Sequence, residues 1–311
     1  MQLRRSALPW LAALGASLGA LHAHAEASDK PLPPARYSAQ LSVGVEYDSN
    51  VTIDELEANS KQDDHALVLG AKVGVKKQVS KAIDFGLSYD LNQTAYEEFN
   101  RLDRQTHILG GNLGYKMESV DTGLSFYYVN SLLDGEGFLE LYRVSPSVTG
   151  FISRRWYARG AWVYADKRID NSAERNADTH GLELDLYFFQ RGLRSYFNAG
   201  YRYKQEDATL ERLDYRAHAA KLRYIRRIDI GSLQLKSELS FRYEDREYDG
   251  LTPGLDGPRD DKRQRWQVDV EIPTGKRGSV QLYASYGDYE SNFAATDYRQ
   301  GIAGARYLWR W

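Results

Sequence analysis

The sequence predicts an all-β protein: a transmembrane, antiparallel, up-and-down β-barrel of about fourteen strands with both termini on the periplasmic side. Three observations carry that expectation. The last seven residues alternate, so Ala305, Tyr307, Trp309 and Trp311 share one strand face and Arg306 and Arg310 the other, and the chain stops on the aromatic face. Past the leader, no run of about 18 apolar residues exists from which a membrane-crossing helix would form. Yet the chain holds 23 Tyr and 26 Gly at a mean hydropathy of −0.59, which suits a sheet with one lipid face and one wet face. At the other end, Arg4 and Arg5 precede an apolar run from Ala7 to Leu21, and Ala23-His24-Ala25 fits a small-x-small cleavage site.

Residues 1–25 are therefore expected to be a signal peptide cut after Ala25. Residues 26–35, with Pro31, Pro33 and Pro34, form an extended periplasmic lead-in, and residues 36–311 the barrel. These features place the chain in the bacterial outer membrane, against lipid and lipopolysaccharide, with its last strand as the signal read by the barrel assembly machinery. Without cysteine there is no disulfide and no N-terminal lipid attachment. Removing Arg4 and Arg5 from 41 basic residues leaves 39 against 43 acidic ones, a mature net charge of −4 that gives no support to nucleic-acid binding. A secreted β-sandwich is the main alternative, but one domain of this length is large for that fold.

Alternation defines the strands. On 233–243, Leu233, Leu235, Leu239, Phe241 and Tyr243 oppose Gln234, Lys236, Glu238 and Arg242; on 264–272, Trp266, Val268, Val270 and Ile272 oppose Arg265, Gln267, Asp269 and Glu271. Lipid satisfies the first face, and water or salt bridges the second. The same reading gives strands near 36–48, 64–77, 82–94, 104–117, 121–130, 138–152, 155–167, 179–190, 193–205, 213–226, 232–245, 262–273, 278–289 and 298–311. An even count puts both termini on one side. Short connections near 78–81, 118–120, 153–154, 191–192, 228–231 and 274–277 are assigned to the periplasm. Longer ones near 49–63, 95–103, 131–137, 168–178, 206–212, 246–261 and 290–297 are assigned outside.

Seven Tyr on the lipid-facing parity, Tyr47, Tyr89, Tyr128, Tyr164, Tyr203, Tyr243 and Tyr286, recur 36 to 43 residues apart, one per hairpin, and suggest an outer aromatic girdle. Tyr115, Trp156, Trp309 and Trp311 would form the periplasmic one. A period near 40 also fits propeller blades, which would need neither the leader nor the terminal aromatic strand. The tenth strand is ambiguous: Tyr215, Ala217 and Ala219 fit one phase, Leu222 and Tyr224 the other, which predicts a bulge or a misplaced boundary.

Four His follow the leader: His65, His107, His180 and His218. The first three share the parity of Leu67, Leu109 and Leu182 and so face the lipid interface, where an acid–base unit of the lumen or rim has no use for them. No GxSxG or HExxH motif occurs, so no catalytic residue is assigned and an outer-membrane enzyme ranks third. Asp54, Glu55, Glu57, Asp63 and Asp64 make the first outer loop acidic, and Asp260 and Asp261 repeat this near the sixth. The spacing matches no calcium loop. Solvated loops are expected, with cation bridging to lipopolysaccharide phosphates as the alternative; no metal or cofactor is assigned.

The lumen-facing parity holds Glu46, Asp48, Lys72, Asp84, Asp90, Arg143, Arg159, Lys167, Glu183 and Asp185 in the first half. Arg202, Lys204, Lys236, Glu238, Arg242, Arg265, Asp269, Glu271, Arg306 and Arg310 follow in the second. Both signs are interspersed. This predicts a monomeric, porin-like conduit for small polar or charged solutes, or a lumen closed by its own salt bridges or by a loop.

Tyr47-Asp48-Ser49-Asn50-Val51, closing the first strand, resembles the start of barrels in the surface lipoprotein assembly modifier family and of related porin-like barrels encoded near exopolysaccharide genes. The resemblance implies a fourteen-stranded barrel over 36–311 and a second function: assembly or export of surface lipoproteins or exopolysaccharide with a periplasmic or lipoprotein partner. That family carries an N-terminal helical-repeat periplasmic domain. Here about ten residues separate leader from barrel, so a stand-alone barrel is expected.

Overall fold

A computed structural model describes residues 32–231 and 233–311. The expected signal peptide and most of the lead-in lie outside the described residues. Pro34–Trp311 forms one compact unit.

Fourteen strands close into one antiparallel barrel. They are β1 (Arg36–Asp48), β4 (Asp64–Gln78), β5 (Ile83–Tyr96), β6 (Arg104–Lys116), β7 (Asp121–Leu133), β8 (Glu136–Ser153) and β9 (Trp156–Ile169). The circle continues with β10 (Ala177–Phe189), β11 (Ser195–Ala208), β12 (Tyr215–Ile230), β13 (Leu233–Leu251), β14 (Pro258–Pro273), β15 (Gly278–Ser291) and β16 (Tyr298–Arg310). β2 (Thr52–Ile53) and β3 (Ala58–Asn59) form a separate small hairpin between β1 and β4. β16 closes on β1 from Gln40↔Arg310 to Asp48↔Ile302, which leaves no unpaired edge for lipid to face. The shortest barrel strands have 13 residues, roughly 43 Å of extended chain. At the tilt of about 40° usual in such barrels, that length crosses an apolar band about 25 Å tall.

Burial runs opposite to that of a water-soluble protein. On β10, Leu182 and Leu184 are 53% and 57% exposed while Glu183 and Asp185 between them are 9% and 8% exposed. A strand that turns leucines out and buries carboxylates makes sense only where hydrocarbon lies outside and polar partners lie within.

The structure corrects two of the expected loops. The 131–137 connection is a two-residue turn, Asp134-Gly135, both at positive φ (51° and 78°), the backbone that tight antiparallel hairpins favour. The 246–261 segment is mostly strand: β13 and β14 stay paired out to Leu251↔Pro258, with a register shift after Glu247. In both places the strands outrun the apolar band, and alternation stops marking them once neither face meets lipid. The expected bulge in β12 is absent, since its pairing with both neighbours is continuous. Its odd residues turn inward throughout: Tyr215, Ala217 and Ile225 are buried, Lys221 and Arg223 pair with inner carboxylates, and Leu222 faces out. The ambiguity came from reading Tyr215 as a lipid-facing aromatic.

Candidate functional site

The site is the mouth of the barrel at the end where the longer connections lie. Residues 49–63, after β1, fold into that mouth. The turn is set by the pentapeptide that carried the resemblance. The Asp48 carboxylate accepts the Asn50 backbone N–H at 3.0 Å, an Asx turn that reverses the chain. Gln300 of β16 donates its side-chain amide to both Asp48 oxygens (3.0 and 2.9 Å) and to the Asn50 carbonyl (3.1 Å). Asn50 Oδ1 accepts the Lys61 N–H at 2.8 Å and its Nδ2 donates to the Arg299 carbonyl at 3.1 Å, tying the two ends of the loop together. Asp48, Asn50 and Val51 are almost wholly buried.

Beyond this hinge the loop reaches across the barrel. Ile53 packs in a buried apolar cluster with Phe138, Leu139 and Ile169, flanked by Leu56, Leu102 and Leu133. Residues Asp54–Leu56 form a 3₁₀ turn ending on Glu57 in the left-handed region (φ 55°). Its carboxylates then meet the rim on several sides. Tyr298 donates to Asp54 at 2.8 Å, and Glu55 pairs with Arg104. Glu57 pairs with Arg175 (3.0 Å) and Arg259 (2.8 Å) and accepts the Tyr248 hydroxyl (3.1 Å). Arg259, 3% exposed, also pairs with Asp261 at 2.6 Å. Burial pushes the Glu57 carboxyl up, and the Arg259 and Arg175 guanidiniums outweigh it, holding it below the usual carboxylate range. Of the acidic stretches expected to be solvated, Glu57, Asp64 and Asp261 are held inside, while Asp54, Asp63 and Asp260 stay exposed. Among the described residues no group of three or more His, Cys, Asp or Glu is placed to hold a metal ion.

Under the loop lies a cavity of about 430 Å³, lined from above by Asp54, Glu55 and Glu57 and from the wall by Arg143, Lys167, Arg202, Lys204, Glu183 and Glu206 among others. Its charges form two clusters. In one, Glu183 meets Arg143 (2.9 Å), Arg159 (3.2 Å) and Arg202 (3.4 Å), while Asp185 meets Arg159 (3.6 Å) and Lys221 (2.8 Å). In the other, Glu206 meets Lys167 (2.5 Å) and Lys204 (3.1 Å), Lys204 also bonds Tyr215, and Glu244 pairs with Arg246.

The remaining sequence-assigned residues also sit on the inner face. Tyr283 donates to Glu46 at 2.7 Å and carries Arg306 over its ring at 4.3 Å. Lys72 pairs with Asp90 (2.9 Å), Arg223 with Glu238 (2.6 Å) and Arg310 with Glu271 (2.5 Å). Asp269 accepts Gln267 and Gln281, Arg265 donates to Ser285, and Lys236 stands opposite Glu271. Asp84 stands opposite Gly114 on β6. Sequence reasoning missed Arg175, Glu206, Glu244, Arg246 and Arg259, and it read Glu57 and Asp261 as solvated loop carboxylates and Tyr215 as a lipid-phase aromatic. Glu244, Arg246 and Tyr248 continue the parity of Arg242; for Arg246 and Tyr248 that signal was hidden by placing them in a loop.

The Tyr series lies on the outer face, as do all four His, each beside a Tyr of a neighbouring strand. Tyr47–His65, Tyr164–His180 and Tyr203–His218 rings lie 5.2–5.3 Å apart, and the Tyr89 hydroxyl meets His107 Nδ1 at 2.7 Å. Tyr128 donates to Glu140 at 3.1 Å; Tyr243 and Tyr286 share the face of Phe241 and Trp266, whose rings lie 4.4 Å apart.

A closed, lipid-faced barrel with a charged interior and an in-folded loop is an outer-membrane barrel of the porin type. Two solved structures agree in fold. An outer membrane protein of Vibrio cholerae, OmpT, matches with a TM-score of 0.52 and 8% identity over 89% of this chain and 97% of its own. An anion-selective porin from Comamonas acidovorans matches with a TM-score of 0.52 and 8% identity over 89% and 99%. No curated protein sequence matches the chain. Residues 35–273 match the surface lipoprotein assembly modifier family, and the chain belongs to that family.

Proposed function

We propose that this protein is a restricted, porin-like conduit for small polar or charged solutes, with residues 49–63 setting the constriction. The observation that supports this reading is the loop itself. It crosses the mouth on an apolar anchor, two ion-paired carboxylates and a third that accepts a Tyr hydroxyl, and leaves a polar cavity beneath, an arrangement with selective, gated passage as its natural use. The longer connections are taken to face outward and the short turns the periplasm. Planar-bilayer recording from the purified barrel tests the conduit: discrete single-channel steps are expected, and an electrically silent barrel under all conditions rejects it. Single cysteines at Asp256 and Lys276, at opposite ends, test the orientation. Asp256→Cys should label on intact cells and Lys276→Cys should not.

Family membership favours a second reading, assembly or export of surface lipoproteins with a periplasmic or lipoprotein partner. Surface display of a reporter lipoprotein, restored by this chain in a deletion strain without any channel activity, would favour it over the first.

A further inference from the structure

The charges on the inner wall from β8 to β14 do not balance. Arg143, Arg159, Arg202, Lys221, Arg242 and Arg265 share this stretch; the carboxylates among them are Glu183 and Asp185, with Asp269 two inward-facing positions along β14 from Arg265 and held by the Gln267 and Gln281 amides. The nearby Glu206, Glu238 and Glu244 are each engaged by cations of their own, Lys167 with Lys204, Arg223 and Arg246. At the centre three cations stand in direct register on three adjacent strands: Lys221 opposite Arg242, and Arg242 opposite Arg265. Asp185 neutralises Lys221. Among the described residues Arg242 makes no ion pair, and Arg265 makes only its bond to Ser285. Arg242 feels repulsion from Arg202 and Arg265 and attraction from Glu244, which Arg246 already holds. Three strands around the ring, Asp48 on β1 feels the Arg265 charge and is itself clamped by Gln300. Like charges placed directly opposite in a sheet are destabilising, and both guanidiniums are exposed to the lumen rather than folded away. A row of this kind costs stability unless something anionic occupies it.

We propose that the Lys221–Arg242–Arg265 row, with Arg202 beside it, is a binding site for the oxyanion group of a small solute, a phosphate or a carboxylate. Guanidinium forks donate pairs of N–H bonds that match such groups, and the lumen water gives access. Arg202 also lines the cavity under the loop, so the site continues that space. This deepens the conduit reading by naming anionic solutes as its cargo.

The test is calorimetric titration of the refolded full barrel with inorganic phosphate and, separately, citrate at low ionic strength, beside single-channel recording. Saturable binding of one or both is expected, and which probe binds identifies the oxyanion class. Arg242→Gln should weaken it about tenfold, Arg242→Lys by less, and Lys236→Gln, elsewhere on the inner wall, hardly at all. Heat-modifiable gel migration confirms that each variant remains a barrel. An intact barrel that binds neither anion overturns the site even if it conducts. Undiminished binding in Arg242→Gln overturns it too. A barrel that binds phosphate through Arg242 without conducting supports the site while the conduit reading fails.

Discussion

The two ends of this barrel are built on different principles. At the turn end the connections are tight and large apolar side chains face outward: Phe151, Ile152 and Leu193 are 64%, 70% and 71% exposed. At the loop end Val51, Phe138 and Ile169 are 1%, 4% and 2% exposed, and the ion pairs of Arg259 and Asp261 are equally dry. Both clusters of buried apolar residues among the described residues lie toward the loop end. A transmembrane barrel needs no such core to stand, because its hydrogen-bond ladder is closed and lipid covers its outer face. The core at the loop end therefore holds the loop. Under the proposed conduit, it is the part of the molecule that passage, rather than folding, requires.

The strongest way to break this contrast is to remove the loop. Residues 51–60 contribute no pairing to the barrel sheet, so replacing them with a Gly-Gly-Ser linker should leave a heat-modifiable barrel and raise single-channel conductance severalfold. An unchanged conductance would show that the constriction lies elsewhere.

A smaller lever is Glu57. Removing one partner of a buried ion pair costs about 3 kcal/mol because the other charge is left dry and unpaired, and here Arg175 would lose its carboxylate while Arg259 would keep Asp261 alone. Glu57→Gln should destabilise the docked loop and turn a quiet channel into one with frequent long openings. Acid should do the same. The docked loop holds the Glu57 carboxyl below its ordinary range, so its stabilising contribution is full above the free glutamate value of about 4.3 and is lost as pH falls through the depressed one. Open probability should be flat from about pH 7 to 5 and rise below about pH 4, and Glu57→Gln should abolish that rise.

Much of this architecture is legible in the sequence, and the reason differs by region. The first and last strands, β1 and β16, match their expected bounds closely, because Leu41, Val43 and Val45 or Tyr307 and Trp309 alternate cleanly against polar neighbours wherever lipid lies on one side. Lumen charges such as Glu183 and Arg242 follow from the same parity. The loop does not, because in sequence Val51, Ile53 and Leu56 are three isolated apolar residues in an acidic stretch. Phe138 and Ile169, which hold Ile53, lie 85 and 116 residues beyond it, and Arg259 lies 202 residues beyond its partner Glu57. No local period links them. The pentapeptide from Tyr47 to Val51 was visible as a resemblance, but its role as the hinge depends on Gln300, across the closure of the barrel.

The Asp134-Gly135 turn probes the loop end without touching the plug. Its positive φ at both positions suits Asp-Gly, and a β-branched residue at Gly135 is strained there whatever the space around it. Gly135→Val should cost roughly 1–2 kcal/mol in urea unfolding from lipid vesicles, with conductance unchanged.

The smallest effect is expected at the turn end, where ion pairs are as well formed as those around Glu57 but wetter. Arg310 bonds Gln40 at 2.8 Å and pairs with Glu271 at 2.5 Å, with 42% of its side chain exposed against 3% for Arg259. Water screens such a pair and already solvates both partners, so it contributes about 0–1 kcal/mol. Arg310→Gln should therefore shift neither the unfolding midpoint nor the conductance beyond error, although its distance to the carboxylate is shorter than that of Arg259 to Glu57. If instead it opened the channel as Glu57→Gln does, the gate would have to lie at both ends, and the dry core at the loop end would need another explanation.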